Sequence, residues 1–457
     1  MANEQNTLPV VPVPGLRPDS LGNYLASLGL LRVTARHCWP GVRAGWNSGV
    51  LHLVGGPESM DETLDLLCDV AAKRAWTPYE RGWADAQKES TRKKSGRPLA
   101  VWQASAEERD LELFNAHAVP AARVSFNRLL GSGGNAGKRD FSDGWKRAIT
   151  ALAPIEPLKK GVPDAAKKRA HLKALLLGEP VTWMIEKLNA ACWFSDANKL
   201  YNSGQRPFRE GAVSPWAMAL ACEGLAFFAG GASRRLGTHA RAVGAFPFVT
   251  RAAAPRTAGE AGRDLAEAWA PLWDRPMTVP EVVTLFSRGR AEVGGRGVLT
   301  PSAFATAVMR RGIDAGITEF RRFVLGRTTS ANTFEPRFEG VFRVRMPSQP
   351  PAPELARSQS AVSTALQRLL ALVDQLPADR KVGKRWRYVG LRGDLEAAML
   401  RAAGSPSDPE AARAMLDAVA SALDRLDRNR TFRERRVAWE PLPLQWLPTV
   451  FGDKAPG

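Results

Sequence analysis

One stretch organises this chain: Asn127-Arg128-Leu129-Leu130-Gly131-Ser132-Gly133-Gly134-Asn135-Ala136-Gly137-Lys138-Arg139-Asp140-Phe141. An apolar pair leads into four glycines, and two cations and an aromatic residue follow them. Glycine-rich backbone adopts positive φ and approaches a ligand without Cβ clashes, and its exposed N–H groups form a concave anion site. The pattern predicts a phosphate-contacting loop with positive charge from Lys138 and Arg139 at its exit. An ordinary glycine-rich turn is the alternative.

Two nucleotide-binding motifs nearly fit this stretch. The P-loop pattern G-x-x-x-x-G-K-[ST] fails at Ser132, which replaces its first glycine, and at Arg139, which replaces the hydroxyl that holds magnesium. The loose dinucleotide pattern G-x-G-x-x-[GA] is met by Gly131, Gly133 and Ala136. No clear strand–helix–strand unit surrounds it, and Glu156 lies only roughly where its acidic partner belongs. A nucleotide-binding enzyme that uses residues 131–138 therefore stays open as an alternative function.

The overall charge points to a polyanionic partner. The chain has 457 residues, enough for two or three domains, and its 44% hydrophobic content is normal for a globular protein. Lys and Arg total 64 against 46 Asp and Glu, which gives a net charge of +18. A chain this basic usually binds nucleic acid.

The sequence gives no positive sign of catalysis. The four cysteines stand apart, so neither a zinc site nor a disulfide framework is indicated. None of the five histidines lies beside an Asp or repeats at i, i+4, and no G-x-S-x-G elbow occurs. These patterns indicate no catalytic residue, metal or cofactor, although a hydrolase built on two carboxylates that meet in space stays open. Two functions remain: a non-catalytic nucleic-acid-binding subunit, and a nucleotide-using enzyme built on the glycine-rich stretch.

No membrane association is expected. No apolar run reaches 18 residues, and Met1–Thr7 is polar rather than a signal sequence. The free cysteines fit a reducing compartment. The sequence therefore predicts a cytoplasmic protein.

The hydrophobic patterns predict an α+β fold, with a mixed amino-terminal region of few short strands and a helical carboxy-terminal bundle. We expect an amino-terminal α+β region at 1–125, a central basic region at 126–346 and the bundle at 354–457. Prolines in Met346–Pro353 indicate a linker before the bundle.

Individual elements follow from spacing and turn residues. In the first half we expect a helix from Leu21 capped by Asp19 or Ser20, a hairpin turn at Trp46–Val50, a strand Val50–Val54, a helix Asp61–Trp76 and a buried helix Ala217–Ala229. In the second half we expect helices Asp264–Trp273, Val279–Ser287, Pro301–Arg311, Ile313–Val324, Ser358–Gln375 and Glu410–Asp427, a strand Phe338–Arg345, and a basic connection Arg380–Arg392.

Three segments are candidates for nucleic-acid contact. The basic polar run Lys88–Arg97 reads as an exposed loop, and a second basic field extends from Lys138 to Lys173. Amide side chains in the glycine-rich stretch and in the turn at 201–206 can read base edges, although they are also common in turns. The predicted nucleic-acid-binding residues are Asn127, Gly133, Gly134, Asn135, Lys138, Arg139, Asn202, Gln205, Arg206, Lys93, Lys94, Lys159, Lys160, Lys167 and Lys168.

Four ordered blocks together resemble one protein family. They are Leu21–Arg32 (LGNYLASLGLLR), Asn127–Phe141, Ser214–Gly230 (SPWAMALACEGLAFFAG) and Arg288–Arg296 (RGRAEVGGR). The sequence resembles the large subunit of the type I CRISPR surveillance complex, Cascade, of subtype I-G (formerly I-U). It departs from the family in Ala136, where Asp is common, and in a short carboxy-terminal part. We expect either a compact variant or a helical function that another chain supplies.

The resemblance implies a role without bond breaking. Such a subunit lies near the 5′ end of a guide RNA, recognises the target-flanking motif (PAM) on double-stranded DNA and helps to open the duplex. Base pairing with the guide then reads the target, and the subunit stabilises the resulting R-loop. The implied partners are guide RNA, double-stranded target DNA, the Cascade backbone and guide-end-binding subunits, and a helicase-nuclease recruited in trans for antiviral defence.

Overall fold

The computed structural model describes residues 8–79, 82–130, 140–154, 162–185, 193–194, 212–233, 243–257, 264–288, 292–293, 296–297, 300–309, 316–327, 334–344, 353–376 and 386–428. Its contacts divide the chain into two compact units. Unit 1 comprises residues 1–247, 272–289 and 328–338, and unit 2 comprises residues 248–271, 290–327 and 339–457. The predicted α+β class, with helices gathered toward the carboxy terminus, is confirmed.

The described elements are named in chain order. The helices are α1 (Leu21–His37), α2 (Met60–Ala72), α3 (Ala84–Lys93), α4 (Arg97–Ser105), α5 (Glu108–His117), α6 (Asp140–Leu152), α7 (Ala165–Leu177), α8 (Pro215–Gly224), α9 (Val279–Arg288), α10 (Pro301–Met309), α11 (Pro353–Gln375), α12 (Trp386–Gly404) and α13 (Pro409–Asp427). The strands are β1 (Val10–Val13), β2 (Arg43–Asn47), β3 (Val50–Val54), β4 (Ala118–Pro120), β5 (Val124–Phe126), β6 (Gly231–Ser233), β7 (Val243–Ala245), β8 (Val249–Arg251), β9 (Asp264–Trp273), β10 (Met277–Thr278), β11 (Glu292–Val293), β12 (Arg296–Gly297), β13 (Ile317–Arg327) and β14 (Phe334–Arg343).

The core of unit 1 is built on the crossing of α1 and α8. A Cβ added at Gly29 of α1 would lie 1.8 Å from the carbonyl oxygen of Leu220, and one at Gly224 of α8 would lie 1.9 Å from that of Leu25. The two backbones therefore touch where both helices carry glycine. Every residue of α8 is buried, as its apolar composition predicted.

The first sheet of unit 1 has the strand order β1-β3-β2-β10. Strands β2 and β3 form the predicted hairpin, whose turn places Ser48 at φ 50° and Gly49 at φ 76°. This left-handed backbone matches the strand twist and suits glycine. Ser20 caps α1 by accepting a hydrogen bond from the Asn23 amide at 3.4 Å, so the predicted helix start is confirmed.

Two short hairpins of unit 1 pack together. Strands β4 and β5 pair antiparallel, as do β6 and β7. A Cβ on Gly244 in β7 would lie 2.6 Å from Cβ of Ser125 in β5, so the hairpins are in close contact.

Unit 2 combines a second sheet with the helical bundle. The sheet has the order β14-β13-β9-β8, with β8 antiparallel to β9. Trp269 lies 4.5 Å from Phe304 and 4.9 Å from Phe342 between ring centroids, which gives this unit an aromatic core. The predicted helices Ser358–Gln375 and Glu410–Asp427 are confirmed within α11 and α13.

Two predicted helices of the second half are wrong. Residues 264–273 and most of 313–324 form strands β9 and β13. In β13 the apolar residues Phe320, Phe323 and Val324 recur at the spacing of a helix, and in β9 residues 266–270 are all buried, so no alternation appears. Sheet packing therefore overrode a local pattern that favoured helix.

The predicted segment boundaries also change. The run Lys88–Arg97 is not a loop, because its first part belongs to α3 and Arg97 begins α4. The basic connection Arg380–Arg392 ends inside α12, a helix that the sequence reading missed. The contacts divide residues 126–346 between the two units. The limits 1–125, 126–346 and 354–457 stay a prediction. Of the predicted linker, only Pro353 lies within the described residues, and it begins α11.

Candidate nucleic-acid interface

Helices α3 and α4 meet at a sharp corner. Lys94 caps the carboxyl end of α3 with a left-handed φ of 49°, and the Ser95 amide donates to the Ser90 carbonyl oxygen at 3.1 Å. The buried Ser90 hydroxyl accepts a hydrogen bond from the Leu99 amide at 3.1 Å, which caps the start of α4. These bonds fix the backbone from which the cations around the corner extend.

Four exposed cations, here called the basic corner, surround this turn. They are Arg92, Lys93, Lys94 and Arg97. Three of them follow one another at the carboxyl end of α3, where the helix dipole favours positive charge. The described part of the corner therefore presents a compact positive surface.

Glu89 is the acidic neighbour of the basic corner. It accepts hydrogen bonds from Arg92 at 2.6 and 2.9 Å and lies 3.0 Å from the Lys93 ammonium. Hydrogen bonds from Arg92 and then from Lys93 lower the pKa of Glu89 to about 2. Ion pairs this exposed contribute little to stability, so a phosphate can compete with Glu89 for Arg92 and Lys93.

The hairpin β4–β5 joins the basic corner to the glycine-rich stretch. The Gly96 amide donates to the Ala122 carbonyl oxygen at 3.3 Å, and a Cβ at Gly96 would lie 2.0 Å from the carbonyl oxygen of Ala121. The exposed Arg123 follows this turn, and β5 then leads to Asn127 and the exposed Arg128. The run Lys88–Arg97 and residues 127–130, the described start of the glycine-rich stretch, therefore belong to one packed substructure.

Asn127 is buried at the entrance of the glycine-rich stretch. It is 1% exposed. Its Nδ2 donates to the Ala116 carbonyl oxygen at 2.9 Å, and its Oδ1 accepts from the Leu129 amide at 3.0 Å. This amide therefore fixes the chain that enters the stretch, and its hydrogen-bonding groups face protein rather than a base edge.

Replacing Asn127 with Ala is expected to destabilise unit 1 by about 1–3 kcal/mol, because it leaves a buried carbonyl and a buried amide without partners. Chemical unfolding followed by circular dichroism measures this change. Arg128→Ala is the matched control. Arg128 is the exposed neighbour of Asn127, so its replacement should change stability by less than about 0.5 kcal/mol. Equal effects of the two substitutions would contradict the structural role of Asn127.

The cations of α7 do not form one footprint. The Lys168 ammonium is buried at the end of α6, where it donates to the carbonyl oxygens of Ala153 at 2.9 Å and Leu152 at 3.3 Å. Burial lowers the pKa of Lys168. Arg169 pairs with Asp61 and Asp65 of α2. Among the described residues, the density of positive charge along this part of the sequence therefore serves several separate contacts.

The remaining α7 candidate is Lys167, which is exposed and lies 3.7 Å from the Asp164 carboxylate. The other predicted binding residues lie outside the described residues. They are Gly133, Gly134, Asn135, Lys138, Arg139, Lys159, Lys160, Asn202, Gln205 and Arg206.

A buried ionic cluster in unit 1 was missed by the sequence reading. Arg32 of α1 pairs with Glu223 of α8 and with Glu112 of α5. The Glu223 carboxylate also accepts hydrogen bonds from the Thr77 amide at 2.6 Å and the Thr77 hydroxyl at 2.7 Å. One signal was present in the sequence, since a lone acid inside an apolar helix requires a buried partner.

The described residues include no group of three or more His, Cys, Asp or Glu side chains placed to hold a metal ion. Cys38, Cys68 and Cys222 are free thiols. None of the described helices combines the length and the apolar composition that crossing a membrane requires. A scan against protein-family models gives no match to this chain, and a search of curated proteins gives none either.

Proposed function

We propose that this chain is the non-catalytic large subunit of a type I CRISPR surveillance complex of subtype I-G. In this role it binds guide RNA and double-stranded target DNA, recognises the flanking motif, stabilises the R-loop and recruits a helicase-nuclease. The observation that carries the proposal is the ordered set of four sequence blocks in a chain of net charge +18. Binding of nucleic acid agrees with that charge.

The packing of two blocks supports the proposal. The block Leu21–Arg32 lies in α1, and the block Ser214–Gly230 contains α8. Their glycines meet at the helix crossing, and the Arg32–Glu223 pair joins their ends. Two of the four blocks that carry the resemblance therefore belong to one packed core, although they are distant in the sequence.

Within this function, the basic corner contacts phosphates. Phosphate contacts position a protein on a duplex, and contacts to base edges specify sequence. We assign positioning to the basic corner with Lys138 and Arg139, and base reading to Asn135, Asn202 and Gln205. The assignment separates affinity from discrimination, so it can be measured.

Replacing all four cations of the basic corner with Ala should weaken target DNA binding by the assembled complex. We expect the slope of log affinity against log salt to fall by roughly 3–4, because each lost phosphate contact to duplex DNA contributes about 0.9. Binding is measured on two duplexes that differ only in the flanking motif. The ratio of the two affinities should stay unchanged.

The control removes four exposed cations elsewhere in unit 1, namely Arg17, Arg43, Lys73 and Arg109. Equal losses in both variants would show that only net charge matters. An unchanged salt slope in the basic-corner variant would exclude that surface from the interface. A complex that lacks this chain but keeps the discrimination between the two motifs would overturn the proposed function itself.

A further inference from the structure

The bundle of unit 2 contains a charged cavity that no sequence pattern indicated. Its volume is about 430 Å³, and it opens between α12 and α13. The four-residue connection between these helices makes them antiparallel neighbours. Five of its lining side chains are small, and they are Ala397, Ala398, Ala414, Ala418 and Ser421. Three arginines stand around it, and they are Arg256, Arg401 and Arg425.

Arg256 reaches this cavity on a loop that the rest of unit 2 fixes in place. Glu267 of β9 accepts a hydrogen bond from the Ala253 amide at 3.2 Å, and Glu396 of α12 accepts one from the Ala254 amide at 2.6 Å. Two buried carboxylates thus hold consecutive amides of the loop. A buried carboxylate that lost its hydrogen-bond donor would cost free energy. Both acids therefore favour this one position of the loop.

Glycines of α12 let the same loop lie directly on the helix. A Cβ at Gly393 would lie 2.6 Å from the Ala254 carbonyl oxygen, and one at Gly390 would lie 2.9 Å from that of Arg256. Any larger residue at Gly393 would push the loop away. The backbone of Arg256 is therefore held against α12 beside the cavity.

The arginine side chains keep their charge accessible. The Arg256 side chain is 61% exposed and pairs with Asp394 at 3.0 Å, and exposed pairs of this kind exchange readily. The Arg401 guanidinium lies 3.8 Å from Asp408 and 3.6 Å from Glu410, distances beyond a hydrogen bond. Arg425 is exposed in the last turn of α13.

The lining also limits what can bind. Guanidinium groups match the geometry of phosphate oxygens. Among the described residues that line the cavity, none is aromatic, so no side chain is available for stacking on a base. The face of α12 from Leu391 to Arg401 extends about 15 Å, which accommodates an elongated ligand. Asp394 and Asp417 repel an anion and so weaken its binding, and salt weakens it further by screening the attraction of the arginines.

We propose that this groove binds phosphate groups through Arg256, Arg401 and Arg425, without reading bases. The ligand class is the sugar-phosphate backbone of a nucleic-acid strand or a free polyphosphate. The site is separate from the basic corner in unit 1, and the proposal does not depend on the function proposed above.

The test uses the full chain, fluorescein-labelled oligo-dT of 20 nucleotides and inorganic pyrophosphate as probes. The groove variant is Arg256→Gln, Arg401→Gln and Arg425→Gln. The control variant removes the same charge from exposed arginines of unit 2 outside the cavity, by Arg343→Gln, Arg413→Gln and Arg428→Gln. Circular dichroism and the unfolding temperature check that both variants fold.

We expect the groove variant to lose at least about tenfold in oligonucleotide affinity, and its salt slope to fall by about 2 for three lost contacts. Asp394→Asn should tighten binding, because it releases Arg256. If pyrophosphate displaces the oligonucleotide from the wild-type chain but not from the groove variant, the groove also binds free polyphosphate. If the groove variant loses oligonucleotide affinity and the wild-type chain does not bind pyrophosphate, the ligand is the backbone of a strand. Equal affinities of groove and control variants, or no binding by the wild-type chain, would overturn the proposal.

Discussion

Replacing Arg32 with Met is expected to destabilise unit 1 by about 3–5 kcal/mol, because it breaks a buried ion pair and leaves the Glu223 carboxyl group in the core without its cation. The Glu223 side chain is 4% exposed and Arg32 is 12% exposed, so water cannot take over the role of the guanidinium. A loss of this size is a large fraction of the stability of a natural domain. Chemical unfolding followed by tryptophan fluorescence measures it.

Two further variants make the Arg32 result specific. Arg36→Met removes a cation that lies 3.2 Å from Glu112 but is 39% exposed, so it should cost less than about 1 kcal/mol. Adding Glu223→Gln to Arg32→Met removes the unpaired charge and should recover a large part of the loss. If Arg32→Met costs no more than Arg36→Met, the buried pair does not stabilise the core.

Replacing Gly29 with Ala is the second large effect that we expect. Helix propensity alone favours Ala over Gly by about 1 kcal/mol. The new methyl group would lie 1.8 Å from the Leu220 carbonyl oxygen, and backbone on that side cannot rotate away as a side chain can. Overpacking typically costs about 1–3 kcal/mol and occasionally more. Because the obstacle here is backbone, we expect a cost at the upper end, which outweighs helix propensity and pushes α1 away from α8.

Gly41→Ala is the matched control, because no atom lies within 4 Å of a Cβ at that position. We expect its stability to stay within about 0.5 kcal/mol of the wild-type chain. Soluble yield and the unfolding midpoint of both variants are compared at one protein concentration. A Gly29→Ala chain as stable as Gly41→Ala would show that the helix crossing adapts.

The fold class and the well-signalled elements could be predicted from the sequence, because local chemistry determines them. Ser20 caps α1, and Ser48 with Gly49 forms the hairpin turn. Strand β13 could not be predicted, because its phenylalanines recur at helical spacing. Its extended conformation depends on pairing with β14 and β9 in the sheet.

The candidate site was predicted only in part. The exposed positions of Lys93 and Lys94 agree with the predicted surface run, although they lie at a helix end rather than in a loop. The buried states of Asn127 and Lys168 depend on residues far along the chain, such as Ala116 and Ala153. Local sequence reports residue type and charge, and it does not report which side of an element faces the core.

The order in which unit 1 is assembled from the sequence has a consequence for synthesis on the ribosome. Its first sheet is completed by β10, where Met277 pairs with Ala44, and Phe286 of α9 packs 5.0 Å from Phe228. When residue 247 has just left the ribosome, the nascent chain therefore still lacks β10 and α9, which complete unit 1. Native contacts this distant in sequence slow folding and prolong the exposure of apolar surface. Truncation after residue 247 is thus a poor way to isolate unit 1, because two later segments, 272–289 and 328–338, belong to the same unit.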